Sequence, residues 1–151
     1  MNTFDLLLKT RKNIAAIVEQ LSLEQLNIVP VGLNNNILWN LGHIVVTQQL
    51  LNYRLSSLPM EVDPVYIDHF KKGSVAATYS QEILTSLKTK LFDLVEKTKR
   101  DYSAGLFKTF EAYPTSYGIT LNNIEDALEF NNAHEALHLG YIMAIRRMIS
   151  K

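Results

Sequence analysis

Residues 131–147 read NNAHEALHLGYIMAIRR, a stretch with the apolar spacing of a long amphipathic helix. On both sides of this stretch the same pattern continues, which predicts a helix over about 122–149. Positions that step by four and three along it hold Ala127, Asn131, His134, His138, Tyr141 and Ile145. Such spacing is typical of a seam that packs against other helices. The sequence therefore predicts two imidazoles and an amide on the buried face.

Histidines on a buried face need polar partners, because an unpaired buried polar group costs roughly 1–3 kcal/mol. His134 and His138 are four residues apart, so their rings lie on one side of the helix and can share a cation. The third ligand is predicted to be His43, in the apolar stretch ILWNLGHIVV at 37–46. Gly42 beside it permits the close approach of another group. The sequence thus predicts a divalent metal ion bound by His43, His134 and His138.

Three further helical patterns precede the histidine-rich one. Their apolar positions recur at spacings of three and four. They cover about 4–21, 35–56 and 78–102. Four long helical patterns with almost no strand signal predict an all-α fold, a four-helix bundle.

Loop lengths and turn residues extend this prediction. The loop at about 57–78 is longer than an antiparallel helix pair needs, so we expect a long crossover between helices 2 and 3. A crossover of this length would allow those helices to run parallel. Thr78 and Gln81 predict a capping box at the start of helix 3. His69 lies in a polar part of the loop and is interpreted as a surface residue.

Composition narrows the class of protein. The chain of 151 residues fits one domain, 1–151, and its 15 basic and 15 acidic residues leave no basic field to attract nucleic acid or an anionic membrane. It contains no cysteine, which excludes disulfides, cysteine-ligated zinc and a cysteine nucleophile. The sequence contains no run of 18 uncharged apolar residues, so it predicts no membrane span. Charged residues near the N-terminus argue against a signal peptide. We expect a cytoplasmic protein.

Three stretches together resemble the DinB/YfiT-like superfamily. They are ILWNLGHIVV, HFKKGS at 69–74 and NNAHEALHLGYIMAIRR, and with the helical layout the resemblance covers nearly the whole chain. It implies a bundle of up-down-down-up connectivity, often dimeric, and a divalent metal held by His43, His134 and His138. Zinc or nickel is the expected ion, with iron, manganese and copper as alternatives. Tyr141 departs from the family, whose members often carry glutamine after the glycine.

The resemblance also implies a class of reaction. The superfamily includes transferases and isomerases that use low-molecular-weight thiols. A cation in the site would convert the thiol to a thiolate, which then attacks an electrophilic substrate. Since the chain has no cysteine, the sulfur would come from the cosubstrate. The resemblance also implies a homodimer formed through helices, and the apolar surplus of helix 2 gives this expectation secondary support.

Two other functions compete with the thiol transferase. His134-Glu135-x-x-His138 also matches the zincin pattern, which predicts a metallohydrolase with Glu135 as general base. Glu135 is about 100° around the helix from His134, however, so a neighbouring helix or solvent is its alternative environment. A non-catalytic metal-binding or interaction bundle is the other alternative. Trp39, four residues before His43, is predicted either to wall the site or to belong to the core.

Overall fold

The structure is a computed structural model that describes residues 2–150. Most of these residues lie in helices. The prediction of a mainly helical protein is confirmed, with one small antiparallel hairpin as an addition. None of the helices in the described residues is both long and apolar enough to cross a membrane. In chain order the elements are α1 (Thr3–Val18), α2 (Leu23–Asn27), α3 (Ile37–Gln49), α4 (Pro64–Phe70), α5 (Gln81–Ser103), β1 (Tyr113–Pro114), β2 (Thr120–Leu121) and α6 (Ile124–Ile149).

The helix at the centre of the fold is α3. Every one of its residues except Thr47 is buried, and it contacts α2, α4, α5 and α6. Asn36 caps its start, because its Oδ1 accepts a hydrogen bond from the backbone N–H of Trp39 at 2.7 Å. The expectation that this helix has apolar surface to spare for a dimer is wrong, since its side chains are used within the chain.

A π-helical turn, Leu50–Arg54, extends α3. Such a turn winds in an extra residue and changes the direction of the side chains that follow. The π-helical turn ends at Arg54, and Ser57, three residues later, adopts a left-handed backbone with φ 57°. The backbone N–H of Leu58 then donates to the carbonyl of Tyr53 at 2.9 Å and closes the end of the helix.

On α6 the buried stripe is rotated relative to the predicted seam. Asn131 and Glu135 are fully buried, whereas His134 and His138 are half-buried. Tyr141 is 38% exposed, so its predicted place on the core seam is wrong. The physical reason is that a charged residue, Glu135, takes a core position on this helix.

The Glu135 side chain is buried because Arg11 on α1 neutralises it. Nε and Nη2 of Arg11 donate to Oε2 and Oε1 of Glu135 at 2.9 and 2.7 Å, and both side chains are 0% exposed. Arg11 also donates to Oε1 of Gln48 at 3.1 Å and to the carbonyl of Leu91 at 2.7 Å. Asn131 Nδ2 donates to Oε1 of Glu135 at 2.9 Å. This network joins α1, α3, α5 and α6.

The structure also differs from the sequence prediction in the limits of the helices and in two additional short helices. The two short helices α2 and α4 lie where loops were predicted, and α1 ends at Val18. Thr78 and Gln81 do not form a capping box, because Ser80 occupies the N-cap of α5 and makes no side-chain capping bond. His69 lies in α4 instead of a loop, and it is exposed as predicted.

Candidate metal centre

His43 on α3 and His134 and His138 on α6 direct one nitrogen each to a common point. Nε2 of His134 lies 3.2 Å from Nε2 of His43 and 3.2 Å from Nε2 of His138. The three ligand atoms all lie within 4.8 Å of one another. Two imidazole nitrogens bound at roughly 2.0–2.1 Å to one tetrahedral ion would be about 3.3 Å apart. The spacing therefore fits a shared metal ion.

Hydrogen bonds fix the tautomers of two of the rings. Nδ1 of His43 lies 2.7 Å from the carbonyl oxygen of Phe70, and Nδ1 of His138 lies 2.8 Å from Oδ1 of Asn40. The Asn40 amide is oriented by its Nδ2, which donates to the carbonyl of Asn36 at 2.8 Å. Both oxygens therefore accept, and each Nδ1 carries the proton. Each Nε2 consequently presents a lone pair, as in histidines that bind metals.

His134 cannot satisfy both of these lone pairs. Nε2 of His43 also has Oγ1 of Thr47 at 3.4 Å as a long hydrogen-bond partner. His134 can donate one hydrogen bond through its Nε2, so at least one of the other two Nε2 atoms receives no proton from this ring. Its Nδ1 is buried and has no hydrogen-bond partner in residues 2–150. Converging lone pairs are favourable where a cation lies between them. The donor set thus fits a divalent ion, and three ligands leave a coordination position open.

Close packing around Gly42 and Trp39 holds the His43 ring. A Cβ at Gly42 would lie 2.3–2.5 Å from three atoms of the Phe70 ring, so only glycine allows this contact. Trp39 stacks on His43 with ring centroids 4.6 Å apart and planes 11° apart. Its Nε1 donates to Oγ of Ser74 at 2.9 Å. Trp39 is 4% exposed, so it both belongs to the core and supports the site.

Replacing Gly42 by alanine should destabilise the protein by about 1–3 kcal/mol, as overpacking of a core commonly does. Metal binding should weaken too, because the new methyl group displaces Phe70, whose carbonyl orients His43. Urea unfolding and metal titration measure the two effects. Gly140→Ala is the matched control, since a Cβ there meets nothing within 4 Å. If Gly42→Ala behaved like this control in both measurements, the packing argument would be wrong.

Burial keeps the three imidazoles neutral, which is the form that binds metals. It lowers the pKa of His134 to about 3, with further lowering by the rings of His138 and His43. Burial and the His43 ring lower the pKa of His138 to about 4. The pKa of His43 is lowered by burial, raised in part by the Phe70 carbonyl and lowered further by the Lys72 ammonium.

The metal-free protein should lose stability as the pH falls from 7 to 5. Unfolded histidines take up protons near pH 6.5, whereas His134 and His138 stay neutral in the fold until about pH 3 and 4. Each of these two histidines therefore lowers the free energy of unfolding by about 1.4 kcal/mol for each pH unit below 6.5. Carboxylates contribute little above pH 5, because they are ionised in both states. Urea unfolding after chelation measures the effect, and an unchanged midpoint between pH 7 and 5 would contradict it.

A cavity of about 420 Å³ adjoins the histidines and includes His43 and His134 in its wall. Its volume is that of a site for a small molecule. Its apolar wall comes from the end of α3 and from α6, through Leu50, Leu51, Leu55 and Phe130. Its polar and charged wall includes Thr47, Arg54, Lys72, Glu111, Thr115 and Ser116.

Glu135 does not belong to the wall of this cavity. Arg11 binds both of its carboxylate oxygens, and Asn131 donates to one of them. The sequence left a neighbouring helix or solvent as alternative environments for Glu135, and the structure places it against the neighbouring helix α1. A general base must reach the proton that it removes. The contacts of Glu135 therefore give no support to that role.

Sequence reasoning missed three residues beside the histidines. Asn40 lies three residues before His43 on the same helix, so a buried amide at this spacing is a signal that could have identified it. Arg54 and Lys72 reach the cavity from the π-helical turn and from the segment after α4. No periodic pattern in the sequence indicates either of them.

Comparison with protein families agrees with the geometry. The family model of the DinB superfamily matches residues 6–142, a range that contains His43, His134 and His138. No curated protein matches the chain. The matched range covers most of the 151 residues and confirms the resemblance inferred from the sequence motifs. The chain therefore belongs to the DinB superfamily.

Proposed function

We propose that the chain is a divalent-metal-dependent transferase that uses a low-molecular-weight thiol. The observation that carries the proposal is the convergence of three imidazole nitrogens beside a cavity of about 420 Å³, whose wall includes His43 and His134. The superfamily resemblance supports thiol chemistry, and the absence of cysteine means that the sulfur comes from a cosubstrate. Zinc or nickel is the proposed ion, because both accept imidazole ligands.

A divalent cation held by the three histidines would lower the pKa of a thiol bound to it and favour the thiolate. Phe70 and Asn40 fix the orientation of two of the rings. Phe130 and the leucines of the cavity wall limit the access of water to the sulfur. In the transfer, the sulfur forms a bond to the electrophilic carbon and the leaving group departs with the bonding electron pair. The thiol proton passes to solvent.

A metal-loaded assay of several small thiols against alkylating electrophiles tests this proposal. Wild-type protein should turn over at least one pair, and His43→Ala should not. His69→Ala is the matched control, because His69 is exposed and lies outside the cluster. Turnover of esters or amides alone would favour the metallohydrolase. Metal binding without turnover on either panel would favour a non-catalytic metal-binding or interaction bundle.

The bundle connectivity and the cellular location are proposals of the same kind. Both α1 and α3 contact α5 and α6, which supports a four-helix bundle. The up-down-down-up connectivity is proposed from the superfamily resemblance, and the long crossover from the length of the loop between helices 2 and 3. An experimental structure would test the helix directions. The absence of cysteine supports a cytoplasmic location, which cell fractionation would test.

A homodimer is also proposed, and the outer face of α6 is its proposed surface. Leu137, Tyr141 and Met148 are 55%, 38% and 45% exposed, and they recur at helical spacing. Light scattering should give the mass of a dimer, and Leu137→Glu should give a monomer. Val31→Glu is the control, because Val31 is 97% exposed and lies far from α6 in the sequence. A monomer mass for the wild type at every dilution would contradict the proposal.

A further inference from the structure

Two positively charged side chains, Arg54 and Lys72, line the cavity beside the histidines. Both are exposed, and none of the ion pairs within residues 2–150 includes either of them. Lys71, the neighbour of Lys72, behaves differently, because its Nζ pairs with Asp68 at 2.8 Å. The two cations of the cavity are therefore available to a ligand.

Separate elements bring these two side chains to one cavity. Arg54 is the last residue of the π-helical turn, and Ser57 adopts its left-handed backbone three residues later. Lys72 follows the end of α4, close enough to His43 for its charge to act on that ring. The segment that carries Glu111 is also fixed, since its backbone N–H donates to the carbonyl of Leu55 at 2.6 Å. The charged wall thus has a defined structure.

The balance of charge around the cavity is positive. Glu111 is the one acidic side chain among the residues that line it, against Arg54 and Lys72. The histidines are neutral, so a divalent ion in the site would add two further positive charges. Apolar walls such as Phe130 strengthen the attraction between these charges and an anion.

We infer that Arg54 and Lys72 bind the carboxylate of an acidic thiol whose sulfur is directed at the histidine cluster. The thiol part of this inference rests on the proposed function. The guanidinium of Arg54 can bind a carboxylate through two parallel hydrogen bonds, and Lys72 adds a second charge. The site then selects thiols by their charge as well as by their sulfur.

Cobalt-loaded protein provides a binding test that does not depend on turnover, because a thiolate bound to Co²⁺ gives a charge-transfer absorption band. The probes are 3-mercaptopropionate and 3-mercapto-1-propanol, which differ in the carboxylate. Wild-type protein should bind the acid at least about tenfold more tightly. Arg54→Gln and Lys72→Gln should each reduce that preference by about three- to tenfold. Lys71→Gln removes the same charge outside the cavity and should leave the preference unchanged.

The outcomes separate this inference from the proposed function. Equal binding of both thiols, or a preference that neither cavity variant changes, would overturn the inference and leave the thiol transferase intact. If no thiol produces the band, the proposed thiol transferase function is wrong. Succinate added to the metal-free protein then tests the carboxylate site separately. Thermal stabilisation by succinate that Arg54→Gln and Lys72→Gln remove would uphold the carboxylate site. Absence of that stabilisation would overturn it.

Discussion

Replacing Glu135 by alanine should cost about 3–5 kcal/mol of folding free energy, because the Arg11 guanidinium would remain buried without a counter-charge. Arg11 is 0% exposed, and its Nε and Nη2 atoms both donate to Glu135 in the native fold. Domains of this kind are typically stable by about 5–15 kcal/mol, so much of the total would be lost. Urea unfolding measures the difference. Glu129→Ala, at an exposed position of the same helix, is the control and should change little.

The double variant Arg11→Met/Glu135→Leu tests the cause of that loss. Removing both charges leaves no unpaired ion, so the double variant should recover most of the stability lost in Glu135→Ala. It should also bind metal and keep the wild-type activity, because Glu135 is assigned no role in the chemistry. A folded, metal-loaded but inactive double variant would restore Glu135 as a general base. A stability of Glu135→Ala close to that of wild type would contradict the ion-pair argument.

The long helices and the three histidines could be predicted because their signals are local. Apolar periodicity marks helices of three or more turns, and the spacing of His134 and His138 places them on one helix face. The apolar surroundings of His43 indicate that it also is buried. The short helices α2 and α4, of 5 and 7 residues, escaped prediction because neither is long enough to show a period.

Contacts between distant residues set the limit of the sequence analysis. Arg11 and Glu135 are 124 positions apart, and each alone is a charge that would normally face solvent. Arg11 lies four residues after Leu7 on the apolar stripe of α1, which is the one local signal for its burial. With Glu135 in the core, the buried stripe of α6 turns away from Tyr141, which the spacing of four and three places on the seam. The π-helical turn that brings Arg54 to the cavity has no sequence signature.

The second large effect should come from His134→Ala. His134 contributes the nitrogen that lies 3.2 Å from each of the other two, so its loss leaves only two of the three ligands. Metal affinity should fall by at least about a hundredfold, more than the loss of an outer hydrogen-bond partner usually costs. Stability should change little in the metal-free state, because the His134 ring is half-buried and its Nδ1 has no partner in residues 2–150.

One divalent ion is expected to bind to His43, His134 and His138. Elemental analysis of protein purified without a histidine tag, before and after chelation, tests it most directly. Wild type and the His69→Ala control should each carry about one chelatable ion per chain, as one three-ligand site requires. His134→Ala should carry almost none after dialysis. A His134→Ala protein that keeps the full metal content of the wild type would contradict the account.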